Sequence, residues 1–272
     1  MRKLLRTVSI FLLFLSNVAF AKHPLVIDCA PTEQKNPSIQ QVVKWYRDSA
    51  EKRAIYRQVY NNGANYVEQW VQQHQPKAKT WGVILDIDET TLDNSWYFYQ
   101  CADLAENESN FEHYVTIPQK SVALPGAAVF THLVHQLGGY VSLVSNRDGS
   151  YVDASGITSL QATIANLKRQ GISFDQVILA NNKKSKHPTD KNPRFNAVIR
   201  GCYAGNEMVW SNKLPPHAVI AYFGDNIQDF PFFKQATAYA LPEDTQQYAK
   251  FGYGYFILPN PLYGSWEANP SS

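Results

Sequence analysis

The segment Val83-Ile84-Leu85-Asp86-Ile87-Asp88-Glu89-Thr90-Thr91 is an apolar run that stops on two aspartates one residue apart. A short, near-continuous stretch of Val, Ile and Leu followed by turn signals reads as a strand buried on both faces, hence one inside a parallel sheet. Residues two apart in a strand share a face. If Asp86 closes the strand and the chain turns at Ile87, both carboxylates face the crevice beyond the strand ends, where open α/β sheets hold their ligands. Carboxylates that close repel unless a cation or a shared proton intervenes. Mg²⁺, a hard ion that prefers oxygen ligands, is the natural remedy. Taken alone, an Asp-x-Asp more often only ends a strand and caps the turn after it. The rest of the chain decides.

Met1-Arg2-Lys3-Leu4-Leu5-Arg6 precedes an apolar stretch from residue 8 to residue 14, and Ala19-Phe20-Ala21 follows. A positive start, a short apolar middle and a small-residue end spell a cleaved secretory signal peptide over residues 1–21, not a membrane span. Lys22 stands where a lipoprotein needs a cysteine, so a soluble periplasmic or secreted protein without a membrane anchor is expected. A net charge of +2 leaves no footprint for a nucleic-acid polymer or a membrane surface. Cys29, Cys101 and Cys202 would meet an oxidising compartment. One disulfide plus a free thiol, or three free thiols, both stay open.

Residues 22–37 carry prolines and no period, and read as a flexible lead-in. Val42, Val43, Tyr46, Ala50, Ala54, Ile55, Val59 and Tyr60 recur at threes and fours. This predicts an N-terminal helical arm within residues 38–80, broken into two helices at Gly63. Residues 81–266 read as one α/β domain. Its aromatic and acidic segment, from Trp96-Tyr97-Phe98-Tyr99 through Phe111 to Tyr114, has no strand alternation and reads as a small cap over about residues 92–123. Further strands are expected at 140–144, 177–180, 218–223, 238–241 and 255–258. Helices are expected after Gly126, over 155–170, from Asn192 and near Ile227, with a turn-rich insert at 202–216 and a tail at 267–272. Such alternation implies a Rossmann-like parallel sheet covered by helices on both faces.

Each early strand ends in polar residues suited to one task. After Asp86 and Asp88 come Ser145-Asn146-Arg147-Asp148, then a lysine-rich stretch from residue 183 to Lys191, then Gly224-Asp225-Asn226-Ile227-Gln228-Asp229. Singly, Ser145 would be a helix cap, Lys191 a solvated charge, and Gly224-Asp225-Asn226 a turn. Together, at the strand ends of one α/β pattern, they form a metal and phosphate site.

Asp86-x-Asp88-x-Thr90, Ser145, Lys191 and Gly224-Asp225-x-x-x-Asp229 resemble the four motifs of the haloacid dehalogenase superfamily. More narrowly, the chain resembles the class C bacterial acid phosphatases, an exported nucleotidase group, over roughly residues 41–267. Further matches are Val42-Val43-Lys44-Trp45-Tyr46, Leu92-Asp93-Asn94-Ser95, Leu124-Pro125-Gly126-Ala127, Leu258-Pro259-Asn260 and Tyr263-Gly264-Ser265-Trp266-Glu267. The resemblance implies that Asp86 is the nucleophile, forming an aspartyl-phosphate, and that Asp88 is the general acid and then base. It implies Mg²⁺ held by Asp86, the backbone carbonyl of Asp88 and Asp225. Asp229 would brace the site from behind or pair with the lysine. Ser145 and Lys191 would hold phosphate oxygens. Lys191 is chosen over Lys183, Lys184 and Lys186 because Arg194-Phe195 follows it at the family's spacing, although residues 185–190 are extra here.

Asn146 and Arg147 are expected to contact the phosphate or sugar, with the alternative that Arg147 pairs with a cap carboxylate. Two aromatic rings clasp a nucleobase in the resembling enzymes, and these fall on Phe111, where the family more often has Trp, and on Tyr263. The resemblance thus implies hydrolysis of nucleoside 5′-monophosphates, and by analogy a homodimer. Two other readings stay open. One is an acid phosphatase of broad specificity for small or aryl phosphates. The other is a non-catalytic binding or storage protein on the same fold, against which stands the retention of Asp86 and Asp88.

Overall fold

Strand β1 (Trp81–Leu85) is buried at every residue and lies inside a six-stranded sheet of order β6-β5-β4-β1-β7-β8. The computed structural model describes residues 37–100, 108–116, 120–203 and 205–270. The expected signal peptide, nearly all of the lead-in, and both Cys29 and Cys101 lie outside the described residues; Cys202 is exposed, with its thiol free.

β1 pairs in parallel with β4 (Tyr140–Asp148) and β7 (Ala218–Gly224). β5 (Gln176–Ala180) and β8 (Tyr255–Ile257) extend the parallel set on either side. β6 (Met208–Trp210) runs antiparallel to β5, so the sheet is mixed and the turn-rich insert supplies its edge strand. Three apolar residues between turn residues are too short a run to stand out in the sequence. Two other expectations need correction. Residues 238–241 form no strand: Ala238 closes a short helix, α8 (Gln235–Ala238), and the Leu241 N–H bonds back to the Ala238 carbonyl just before Pro242. Near Ile227 the chain makes only a 3₁₀ turn, Ile227–Asp229, because Pro231 forces Phe230 into extended backbone.

The pleat sorts side chains to two cores. Val83 and Leu85 point to one face with Tyr60, Phe130, Val141, Leu143 and Phe223, and Ile84 points to the other with Val144, Ile178, Phe195 and Val198. α7 (Asn192–Arg200) lines the second face. α5 (Ala127–Gln136), α6 (Ser159–Arg169) and the arm cover the first. The cap holds α3 (Ser95–Gln100) and α4 (Glu108–Thr116), and its root is a two-stranded ladder of β2 (Leu92–Asp93) and β3 (Val122–Ala123). Tyr97, Phe98, Tyr114 and Val115 form its own small core against Val43 of α1.

The arm is α1 (Pro37–Asp48) and α2 (Ala50–His74), separated at Ser49, whose hydroxyl caps α2 through the Lys52 N–H at 3.0 Å. Gly63 therefore breaks nothing: α2 runs through it for 25 residues. Its role is steric. A Cβ there would sit 2.4 Å from the Phe223 ring, the same ring on which Tyr60 stacks at 5.6 Å. Ala is about 1 kcal/mol better than Gly in a free helix, but overpacking a tight core costs about 1–3 kcal/mol. Gly63→Ala is therefore expected to lower the urea midpoint, where the helix preference alone would raise it.

At the opposite end of the sheet Asp175 accepts hydrogen bonds from His135 Nε2 (2.7 Å), the Val141 N–H (2.9 Å) and Lys79 Nζ (3.0 Å). Partial burial works against its charge, but those bonds outweigh it and hold the carboxyl down at about 2, from 3.8. A carboxyl with a depressed folded-state value stabilises above the unfolded value and loses that contribution as pH falls through the folded one. Asp175→Asn is expected to destabilise the protein near neutrality, and to remove part of the further stability loss seen in urea titrations as pH falls from about 4 to about 2.

Candidate active site

Period-two alternation sends Asp86, the residue after β1, to the side of Ile84, which is the side of α7. Lys191 stands at the N-terminus of α7, and its ammonium pairs with Asp86 Oδ1 and, at 2.6 Å, with Asp229 Oδ1. Lys191 is 3% exposed. Burial alone would favour the neutral amine, but Asp229 and Asp86 together hold it charged, at about 12. The other Asp229 oxygen accepts the Asp225 and Asn226 N–H groups at 3.1 and 3.0 Å. Gly224 makes that fold-back possible, since a Cβ there would lie 2.2 Å from Asp229 Cβ.

Asp225 accepts from Thr90 Oγ1 and Asn260 Nδ2, each at 2.8 Å. Its partial burial, with Asp229 and Glu89 nearby, pushes its carboxyl up to about 8. Asp86, Asp225 and Asp229 each offer an oxygen within 4.8 Å of the others. A set made only of carboxylate oxygens suits a hard divalent cation, and such an ion would relieve the crowding that drives Asp225 up. Among the described residues Asp229 has three partners, Lys191 and two N–H groups, against two on Asp225 and Lys191 alone on the Asp86 carboxylate, so Asp86 and Asp225 are the freer donors.

Asp88 has a different partner. Arg147, 2% exposed, grips it through Nε (3.1 and 3.0 Å) and Nη2 (2.7 Å), and Asn94 Nδ2 and Ser145 Oγ add bonds at 2.7 and 3.3 Å. Burial opposes the charge on Asp88, but Arg147 prevails and holds it below the usual carboxylate range. Ser145 and Arg147, two apart at the end of β4, turn inward together while Asn146 between them faces out. Asn146 is exposed and accepts from Arg194 Nη2.

A cavity of about 450 Å³ joins these groups. Asp86, Asp88, Ser145, Asn146, Arg147, Lys191, Asp225 and Asp229 line its floor, and Phe98, Phe111, Glu112 and Tyr263 line its wall. All ten residues singled out from the sequence thus border one space. Phe111 and Tyr263 lie 6.3 Å apart and tilted by 59°, while Tyr263 stacks on Phe98 at 5.0 Å and 12°. A base between two rings needs two stacking distances of about 3.4 Å each. As placed, the wall offers ring faces and edges rather than an open slot.

Several residues of the site carried no signal of their own. Phe98 was visible only as one cap aromatic among many. Glu89 is fully buried: its carboxylate takes the Asn94 N–H at 2.8 Å and the Tyr263 hydroxyl. Burial, with Asp88 beside it, pushes Glu89 up to about 8. Its carbonyl accepts from Tyr56 at 2.6 Å, and the Thr90 carbonyl accepts from Tyr60 at 2.8 Å. Glu112 follows Phe111 on α4 and is buried on the face it shares with Val115 and Thr116. With Glu108 four residues before it in the sequence, at the spacing of one helix face, nothing in the local pattern set it apart.

Comparison with known proteins agrees with this geometry. Residues 16–266 match the family model described as HAD superfamily, subfamily IIIB (acid phosphatase). The class C acid phosphatase from Bacillus anthracis is similar in two solved structures, one with tungstate bound, each 26% identical with a TM-score of 0.66. Each match covers 85% of this chain and 86% of that one. A cluster of acids at the strand ends that could hold a divalent cation, a buried lysine beside it and a family match across most of the chain lead to one conclusion: this protein belongs to the acid phosphatase subfamily IIIB of the haloacid dehalogenase superfamily, and is a phosphoric monoester hydrolase.

Proposed function

We propose that the protein is an exported, Mg²⁺-dependent acid phosphatase that prefers nucleoside 5′-monophosphates. The observation that carries this reading is the single cavity with Asp86, Asp88, Lys191 and Asp225 at its floor and Phe98, Phe111 and Tyr263 on its wall. Export rests on the charged, apolar and small-residue pattern of residues 1–21. A relative that binds tungstate, an oxyanion, supports an oxyanion site in this fold.

Asp86 attacks phosphorus, the bond from phosphorus to the ester oxygen breaks, and the leaving alkoxide takes a proton from Asp88. Asp88 then takes a proton from the water that cleaves the aspartyl-phosphate, and inorganic phosphate leaves. Lys191 and Ser145 hold phosphate oxygens while charge develops on them. Asp86 and Asp225, with the Asp88 carbonyl, would hold Mg²⁺, whose charge offsets that of the phosphate. Arg147 keeps Asp88 oriented, and its depressed value means the protonated acid accumulates only as pH falls, which suits an acid optimum. The aromatic wall gives a base somewhere to stack, worth about 1–3 kcal/mol.

Hydrolysis of 5′-AMP is expected to vanish in EDTA and return with Mg²⁺; activity indifferent to the chelator would remove the metal from the scheme. Asp86→Asn should abolish turnover in a folded protein, and Asp88→Asn should cost about 10²–10⁴-fold in kcat. Tyr263→Ala should lower kcat/KM for 5′-AMP about 10-fold or more and for phosphotyrosine far less. Equal losses on both substrates would favour broad specificity.

Arg147→Met strands Asp88 and is expected to cost about 3–5 kcal/mol of stability, read from urea unfolding. Arg147→Lys, a weaker partner, lets Asp88 rise. Because catalysis needs the protonated form, the basic limb of the pH–kcat profile should move to higher pH.

A further inference from the structure

Glu112 stands out because the mechanism does not use it. It projects from α4 of the cap into the catalytic cavity and is 8% exposed. One carboxyl oxygen, Oε1, accepts the Asp148 N–H at 2.9 Å, which docks the cap onto the end of β4. The other, Oε2, is buried with no hydrogen-bond partner among the described residues. The nearby guanidinium makes no hydrogen bond to it: Arg147 directs Nε and Nη2 at Asp88 and Nη1 at Thr163 Oγ1, at 3.0 Å. Buried polar atoms are rarely left unpaired, and leaving one so costs about 1–3 kcal/mol. An orphan oxygen on the wall of a substrate cavity is best explained by a partner that arrives with the substrate.

The position of Glu112 says which part of the substrate that is. Asp88 protonates the ester oxygen, so the carbons of the leaving alcohol begin beside Asp88 and its partner Arg147. Glu112 is bound to the residue after Arg147 and is next in sequence to Phe111. It therefore stands between the point of bond cleavage and the aromatic wall. An apolar or aryl alcohol would leave Oε2 unpaired there, and a second anionic group would be repelled by the acids around it. A hydroxyl satisfies it whether Glu112 is ionised or protonated, because a hydroxyl both donates and accepts. Burial does push Glu112 up, to about 7, so both forms occur near neutrality.

We propose that Glu112 is a specificity-determining residue whose free carboxyl oxygen hydrogen-bonds a hydroxyl of the leaving alcohol, selecting polyol and sugar phosphates over their deoxygenated counterparts. This rests on the reading of the cavity as a phosphomonoester site, and does not depend on recognition of a base.

The test compares kcat/KM for matched pairs: glycerol 3-phosphate against propyl phosphate, and AMP against 2′,3′-dideoxy-AMP. The wild type is expected to favour the hydroxylated member of at least one pair by about 10-fold, and Glu112→Ala to bring that ratio near unity. Loss of the cap contact to Asp148 lowers every rate in Glu112→Ala but cancels in the ratio. p-Nitrophenyl phosphate, which carries no hydroxyl, reports that general loss separately. Glu112→Gln keeps the length of the side chain and an oxygen for Asp148, and is expected to retain part of the preference, so the proposal can be tested even where Glu112→Ala folds poorly. A wild type blind to hydroxyls in both pairs, or a preference unchanged in both variants, would overturn it. Failure of the base preference appears elsewhere, as AMP being no better than glycerol 3-phosphate, and leaves the base-free pair to decide on Glu112.

Discussion

Carboxylates crowd the carboxyl ends of β1 and β7, and the rest of the structure depends on how that crowding is neutralised. Asp86, Asp88, Asp225 and Asp229 lie at the ends of two adjacent parallel strands, and three sets of partners answer them. Lys191 lies between Asp86 and Asp229, Arg147 grips Asp88, and Thr90 and Asn260 donate to Asp225. Buried charges persist only when paired, so the two cations are a condition of folding these acids into the protein. What they leave over, around Asp86 and Asp225, is negative charge that a divalent ion could take up. The site is half neutralised by design of the chain and half reserved.

That division gives Asp86 and Asp88, two residues apart, different surroundings. Asp86 faces α7 and a lysine that already serves a second acid. Asp88 faces β4 and a guanidinium in a multiply bonded grip, with an amide and a hydroxyl completing its shell. One carboxylate shares its cation with a second acid, and the other is held in one orientation with its proton affinity set by its surroundings. Pairs of acids whose environments differ in this way are the usual basis for separate nucleophile and acid roles.

The catalytic floor was legible in the sequence because each of its residues follows an apolar run or opens a helix, so strand ends could be located and their polar residues collected. The sheet's centre was legible for the same reason. What failed was where local pattern and tertiary context part. Gly63 looked like a helix break, yet α2 passes through it because a ring from β7 needs the space. Met208-Val209-Trp210 was too short to announce an edge strand, and Pro231 cut short the helix expected at Ile227. Glu89 and Glu112 were illegible as site residues because their importance lies in burial and in partners far along the chain, neither of which a run of letters displays.

The tyrosines of α2 reach farther than the packing of an arm requires. Tyr56 donates to the carbonyls of both Glu89 and Pro259, and Tyr46 bonds its hydroxyl in turn. Tyr60 holds the next carbonyl of the catalytic loop, and Glu89 itself sits in left-handed backbone. The turn that follows Asp86 and Asp88 is thus pinned from outside the α/β domain, by the helices of the arm acting with the loop at Pro259. Arm and core are therefore inherited together: a gene fusion or a minimal enzyme cut to begin at the first strand would keep every reacting group and lose the clamp that aims them.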